Sequence, residues 1–199
     1  FGPDARRRLR DADGVSIVDI AGTQVTIHVR DACGLWDINH GRLDILSGLL
    51  EQSGAAEVAL ITNALITART VDTGLLSIEQ IRALPGMSAD LYQRLRGEIT
   101  VNCRADRVDH EFASPTLLAA IPDMAPDQVA SIIRQRKLGP IDPGLLGASA
   151  RYLAPGPGQT YEIIAVVDLG PGSRVFRRAE ITLTHQPDQP YRVLSWATI

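Results

Sequence analysis

The chain has 199 residues, 45% of them apolar and 22% charged, with 20 basic against 23 acidic side chains for a net charge of -3. That length supports one large domain or two small ones, each with its own core, and the composition is that of a folded globular protein. The acidic excess argues against broad binding to nucleic acid or an anionic membrane, whose ligands carry a basic surplus. No apolar run approaches the roughly 18 residues that span a bilayer, and Phe1 to Arg10 is too short in apolar residues for an intact signal peptide.

Residues 4–10, with Arg6, Arg7, Arg8 and Arg10, read as the polar end of a helix, where cations suit the negative end of the dipole. Val15 to Asp19 and Gln24 to Val29 then alternate apolar with polar or small residues around Ala21-Gly22-Thr23. Period 2, β-branching and a turn glycine predict a hairpin. From Ile38 the period changes: Leu43, Leu46, Leu49 and Leu50 fall at helical spacing and Gly54 stops them. Asp37 or Asn39 is the expected N-cap, after a tight turn at Gly34. Ala56 to Ala68 carries Val58, Leu60, Ile61, Leu65 and Ile66, a second helix.

A segment then repeats itself at an offset of 37 residues. Ser77, Ala83, Pro85, Met87 and Asp90 recur as Ser114, Ala120, Pro122, Met124 and Asp127, and Ile81, Leu84 and Leu95 recur as Leu118, Ile121 and Ile132. Each copy, 77–96 and 114–137, reads as two short helices around a proline-containing turn. Beyond residue 138 lies a breaker-rich stretch ending in Ala154-Pro155-Gly156-Pro157-Gly158. Strand patterns follow at Tyr161–Asp168, Val175–Thr184 and Tyr191–Ala197, separated by Gly170-Pro171-Gly172 and Gln186-Pro187-Asp188-Gln189-Pro190. This is an antiparallel meander. Hairpin, helical block and meander together predict an α+β fold in which 38–150 is an insertion between 1–37 and 151–199.

The repeated units resemble helix-hairpin-helix or SAM-like elements. In DNA-binding versions, a glycine-rich turn aims backbone N–H groups at phosphate. Pro85-Gly86-Met87-Ser88 could do so, whereas the second turn carries Asp123, which repels phosphate. Over 76–137, eight basic residues (Arg82, Arg94, Arg96, Arg104, Arg107, Arg134, Arg136, Lys137) meet eight acidic ones (Glu79, Asp90, Glu98, Asp106, Asp109, Glu111, Asp123, Asp127). A neutral block with one spoiled turn favours packing or protein binding, and no nucleic acid is expected as a partner.

His28, His40, His110 and His185 show no zinc-ligand spacing, and CxxC, HExxH, G-x-S-x-G, P-loop and dinucleotide-binding motifs are absent. His110-Glu111 could act in acid–base chemistry, but in a polar loop it reads as solvated. No catalytic residue is nominated, so the chain is not expected to be an enzyme. Trp36 and Trp196 read as core or domain-junction residues. Asp168 beside the glycine turn could offer oxygens to calcium, with too few acidic neighbours for a site. Cys33 and Cys103 fit either two buried reduced thiols or one disulfide closing a loop of about 70 residues.

Several of these segments, in order, resemble the K-type minor pseudopilins of type II secretion systems. Asp31-Ala32-Cys33-Gly34-Leu35-Trp36-Asp37-Ile38-Asn39 is similar to that family's D-E-x-G-x-(I/V)-(D/N)-L-N stretch. Leu76 to Met87, with Leu91-Tyr92 and Ile99-Thr100-Val101, resembles its first hairpin unit, and Ser114 to Arg136 its second. Tyr161 to Ala165 and Tyr191 to Trp196 resemble its closing strands. The resemblance implies a type IV pilin-like antiparallel sheet with a large inserted helical domain, acting as a non-enzymatic structural subunit at the pseudopilus tip. Its implied partners are I- and J-type minor pseudopilins. It also implies a periplasmic location, with an inner-membrane helix preceding Phe1, and a periplasmic setting favours the Cys33–Cys103 disulfide. The acidic, Tyr-containing stretch usual in the family is not evident between Ala68 and Leu76, so no cofactor is assigned and the family's calcium acquires no ligands here. The alternative reading is a tandem helix-hairpin-helix nucleic-acid-binding protein.

Overall fold

The computed structural model describes residues 14–156, 158–170 and 172–198; the helix end expected at 4–10 lies outside them. The chain divides into two compact units, Phe1–Ala32 with Pro157–Ile199, and Cys33–Gly156.

The first unit is a five-stranded sheet in the order β1-β2-β5-β6-β7, with strands numbered along the chain. The strands are β1 (Val15–Ile20), β2 (Thr23–Asp31), β5 (Thr160–Asp168), β6 (Arg174–Gln186) and β7 (Gln189–Thr198), every pairing antiparallel. The expected hairpin is present. Ala21 and Gly22 both hold positive φ, 52° and 81°, which makes a two-residue type I′ turn whose twist matches that of the strands. Asp19 Oδ1 accepts the Gly22 N–H at 3.0 Å and closes it. The meander also forms, with register shifts along the β6–β7 pairing.

Few apolar side chains are buried in this sheet; Val25, Tyr161 and Ala179 are among them. A charged row crosses it instead. Register aligns Arg30 with Glu162, Glu162 with Glu180, and Glu180 with Ser195. Two buried carboxylates thus stand directly opposite each other, an arrangement that repels unless cations intervene. Arg30 pairs with Glu162 through its Nε. Arg178 bridges both acids, its Nε 2.7 Å from Glu162 and its Nη2 3.0 Å from Glu180. Trp196, expected in the core or at a junction, is instead two-thirds exposed on β7, a strand exposed at every position and so on both faces of the sheet.

The second unit is helical: α1 (Leu43–Gln52), α2 (Val58–Arg69), a 3-10 turn (Ile78–Ala83), α3 (Ala89–Leu95), α4 (Pro115–Ala119) and α5 (Pro126–Leu138). Its core is continuous, with Trp36, Ile45, Leu49, Leu50, Ile61, Leu65, Leu95, Ile99, Leu117, Leu118 and Ile132 all buried. At the crossing of α1 and the α4 end, a side-chain carbon on Gly48 would stand 2.2 Å from the Ala120 carbonyl oxygen, so only glycine allows this approach. A short parallel pair, β3 (Trp36–Asp37) with β4 (Ile99–Thr100), lies within this unit; the sequence carries no period that reveals it. Residues 143–152, read as breaker-rich, form 3-10 helix interrupted at Gly147, where Asp142 caps the start by accepting the Gly144 N–H.

The 37-residue repeat is also a backbone repeat. Leu84 N–H donates to the Ile81 carbonyl and Met87 N–H to Leu84; Ile121 N–H donates to Leu118 and Met124 N–H to Ile121. Gly86 and Asp123, again 37 apart, hold the same left-handed conformation at φ 82° and 62°. Aspartate tolerates that region better than most residues, so the copies share a turn while differing in charge. Ser88 Oγ accepts the Leu91 N–H at the α3 start, and Ser114 Oγ the Leu117 N–H at the α4 start.

Cys33 and Cys103 are joined, with Cα atoms 4.9 Å apart across a sequence separation of 70. A loop of that length corresponds to about 4 kcal/mol on the chain-entropy scale. The denatured, unreduced protein is therefore expected to show no reactive thiol in a titration, and reduction is expected to lower unfolding free energy by about that amount. Two reactive thiols without reductant would rule the bond out.

Candidate functional site

Among the described residues, the polar centre of the helical unit is Asp37. Expected as a helix N-cap, it stands five residues before α1, whose N-cap is Arg42 without a side-chain bond. Its carboxylate turns instead into the chain around it. Oδ1 accepts the N–H groups of Asn39 and His40, each at 2.9 Å, and lies 3.1 Å from His40 Nδ1. Oδ2 accepts the Arg104 N–H at 2.8 Å. Asp37 is buried, and these donors stand where a cation would otherwise be needed.

Above it opens a cleft of about 520 Å³ lined by Asn39, His40, Arg69, Asp72, Asn102 and Arg104, among others. Arg69 is fixed there: its Nε donates to the Ile38 carbonyl at 2.6 Å, its Nη2 to the Gly41 carbonyl at 2.8 Å, and its guanidinium lies 5.3 Å from the Trp36 ring centroid. Burial pulls that guanidinium below the usual arginine range, and the Asp37 charge opposes the shift. Asn39 pairs both of its amide ends with the Leu75 backbone and closes the cleft's far wall. Arg104 is held at φ 60°, its N–H captured by Asp37. The cleft presents cations and Asp72 together.

On the same unit, Arg42 and Arg151 lie 4.9 and 4.8 Å from the Tyr152 ring centroid, a double cation–π contact. Partial burial works against ionisation of the nearby Asp44. Hydrogen bonds from Tyr152 and Arg42, the Arg42 charge and the Ile45 N–H outweigh it and hold the carboxyl below its ordinary value. Asp123, in the second repeat turn, pairs with Arg151 at 2.9 Å on the surface.

The remaining sequence candidates scatter. Trp36 is in the core, its Nε1 donating to the Arg42 carbonyl. His28 is on β2, His40 beside Asp37 and His110 in the 108–113 segment. His110 is buried and not solvated as expected, because that segment is built into the helical unit: Val108 N–H donates to Tyr152 and Asp109 N–H to Cys33. Neither place weighed for calcium, Asp168 or the 68–76 stretch, gathers the six to eight oxygens the ion takes. Asp168 is engaged by the Gly170 N–H and by Arg174, which hold its carboxyl below the usual range. The 68–76 stretch offers one carboxylate, Asp72, and no cluster of three or more His, Cys, Asp or Glu able to hold a metal occurs among the described residues. No helix there is long and apolar enough to cross a membrane. What the sequence reading missed was Asp37 as an acceptor hub; its signal, Asp two residues before Asn in a glycine-flanked turn, is that of an Asx turn.

Asp37→Ala leaves the Asn39, His40 and Arg104 N–H groups without their acceptor. It is expected to cost about 3 kcal/mol in urea unfolding; a loss under about 1 kcal/mol would show that other acceptors replace it. The Asp44 carboxyl is expected to titrate below 3.8 by NMR. A depressed folded-state pKa stabilises above the unfolded value and loses that contribution as pH falls through the folded one. Asp44→Asn therefore flattens the acid limb of stability and leaves the neutral range parallel to wild type.

No family model matches the sequence, and no curated protein matches it. Among solved structures, the chain is similar to a chain in the crystal structure of the GspK-GspI-GspJ complex from the type 2 secretion system of enterotoxigenic Escherichia coli. The likeness has a TM-score of 0.63 and 16% identity, covering 94% of this chain and 84% of that one. The protein thus has the fold of a chain from that secretion-system complex.

Proposed function

We propose that this chain is the periplasmic part of a K-type minor pseudopilin, a structural subunit that caps the tip of a type II secretion pseudopilus. In this reading it acts by shape, without a catalytic step or a bound cofactor. Its partners are I- and J-type minor pseudopilins, and an inner-membrane helix precedes it in the full protein. The single observation that carries the reading is the fold: an antiparallel sheet built from both ends of the chain, with a helical unit between, matching a chain of such a complex over nearly its full length. The order of the sequence motifs at 31–39, 76–101, 114–136, 161–165 and 191–196 supports it independently.

Within that reading the two repeats are helix-hairpin-helix or SAM-like units used for packing. Their apolar positions Ile81, Leu118, Ile121, Leu95 and Ile132 are buried in one core. The Asp123 carboxylate sits in the second turn and pairs with Arg151, which leaves no cationic phosphate cradle there.

The protein is expected to co-purify with the I- and J-type minor pseudopilins of its own system as a stoichiometric complex. Failure to form any complex at tens of micromolar, with each subunit folded by circular dichroism, would overturn the proposal.

A further inference from the structure

The two open edges of the five-stranded sheet differ. The outer strand β7 carries the usual protections against pairing with another chain: Pro190 near its start, Arg192 along it, and register shifts against β6 that bend it. The other edge, β1, has no proline and no register shift, and its one charge, Asp19, lies next to the turn. Its sequence is Val15-Ser16-Ile17-Val18-Asp19-Ile20, paired with β2 in an unbroken register, and Val15, Ile17, Val18 and Ile20 are all exposed.

Which backbone groups β1 presents follows from its turn. In a two-residue hairpin the residues flanking the turn, Ile20 and Thr23, exchange hydrogen bonds, and the alternation continues through Val18↔Val25 and Ser16↔Ile27. The Val29 N–H bonded to the Gly14 carbonyl at 2.7 Å keeps the same phase. Val15, Ile17 and Asp19 are therefore the residues whose N–H and C=O groups point away from β2. Among the described residues they form an unpaired row of three donors and three acceptors, flanked by apolar side chains on both faces, with Asp19 as the one charge.

We infer that the β1 edge is a strand-addition surface, taking an extended segment of about five residues from a neighbouring subunit. Main-chain bonds to Val15, Ile17 and Asp19 hold the segment. Alternate apolar residues pack beside Val15 and Ile17 on one face and Val18 and Ile20 on the other, and a lysine or arginine stands opposite Asp19. The segment's chemistry is thus apolar, β-branched and basic at one end. This inference rests on the pseudopilin reading for the identity of the neighbour.

Amide hydrogen exchange on the full chain, alone and with the I- and J-type minor pseudopilins, tests it. The Val15, Ile17 and Asp19 amides are expected to exchange freely alone and at least tenfold more slowly in the complex. Ile17→Pro removes an outward N–H that β2 does not use, so it is expected to weaken the complex at least tenfold while native circular dichroism persists. A complex that forms with these amides unprotected, or with protection on the outer amides of β7, overturns the strand-addition inference and leaves the proposed function standing. Absence of any complex overturns both. Protection of the same amides in the chain alone, with a dimer in light scattering, assigns the edge to a second copy and overturns the inference as stated.

Discussion

The helical unit depends on one carboxylate, Asp109, which ties its first residue to its last. The Asp109 N–H donates to the Cys33 carbonyl at 2.7 Å, and its Oδ2 accepts the Gly156 N–H, also at 2.7 Å. Oδ1 meanwhile accepts the Glu111 N–H and sets the turn that follows. The approach is so close that a side-chain carbon on Gly156 would come within 2.7 Å of the Cys33 Cβ. A folded segment inserted between two neighbouring strands must begin and end at nearly one place. Asp109 is buried and meets that requirement with backbone hydrogen bonds to both ends.

The same end of the unit is stitched a second time. Trp36 N–H donates to Glu98 and Ile38 N–H to Thr100, the Asp37 carboxylate takes the Arg104 N–H, and Cys33 joins Cys103. Residues 33–38 are thus bound to 98–104 by covalent, carboxylate and ladder bonds together, while the apolar core fills the other side. The sheet unit is built on the opposite principle. Its buried interior among the described residues is rich in paired charge, and such a row costs more to desolvate than an apolar one. What it supplies is register: a one-residue slip of β5 against β6 would set Glu162 out of line with Arg178.

Much of this was legible because the signals were local. Period 2 with Ala21-Gly22 gave the hairpin, Leu43 through Leu50 gave α1, and the 37-residue echo marked two units whose backbones do repeat. What the sequence hid was long-range or too short to have a period. The Trp36–Asp37 and Ile99–Thr100 pair is two residues on each side. The donor that redirects Asp37 from capping α1 is Arg104, 67 residues away. His110 looked solvated because its neighbours are polar; its burial comes from Asp109 fixing that segment against the unit's ends. Trp196 looked like core because tryptophan is highly buried on average, and nothing local to β7 announces that both of its faces are exposed. The cleft over Asp37 gathers Asn39, Arg69, Asp72 and Arg104 from segments that no motif connects.

The shared turn of the two repeats has a consequence for how this surface can diversify. Gly86 and Asp123 hold one conformation, and each is followed by a methionine partly buried against the same core. The scaffold beneath both positions is set by hydrogen bonds that do not involve their side chains. A side-chain carbon at Gly86 would stand 3.0 Å from Ile61 and 3.2 Å from the Glu57 carboxylate, so the first knuckle stays bare, whereas the second can exchange Asp123 for glycine or asparagine at the loss of its Arg151 pair. One duplicated frame thus presents two addresses, a bare turn at Gly86 and a charged one at Asp123, of which the second is the one open to rewriting.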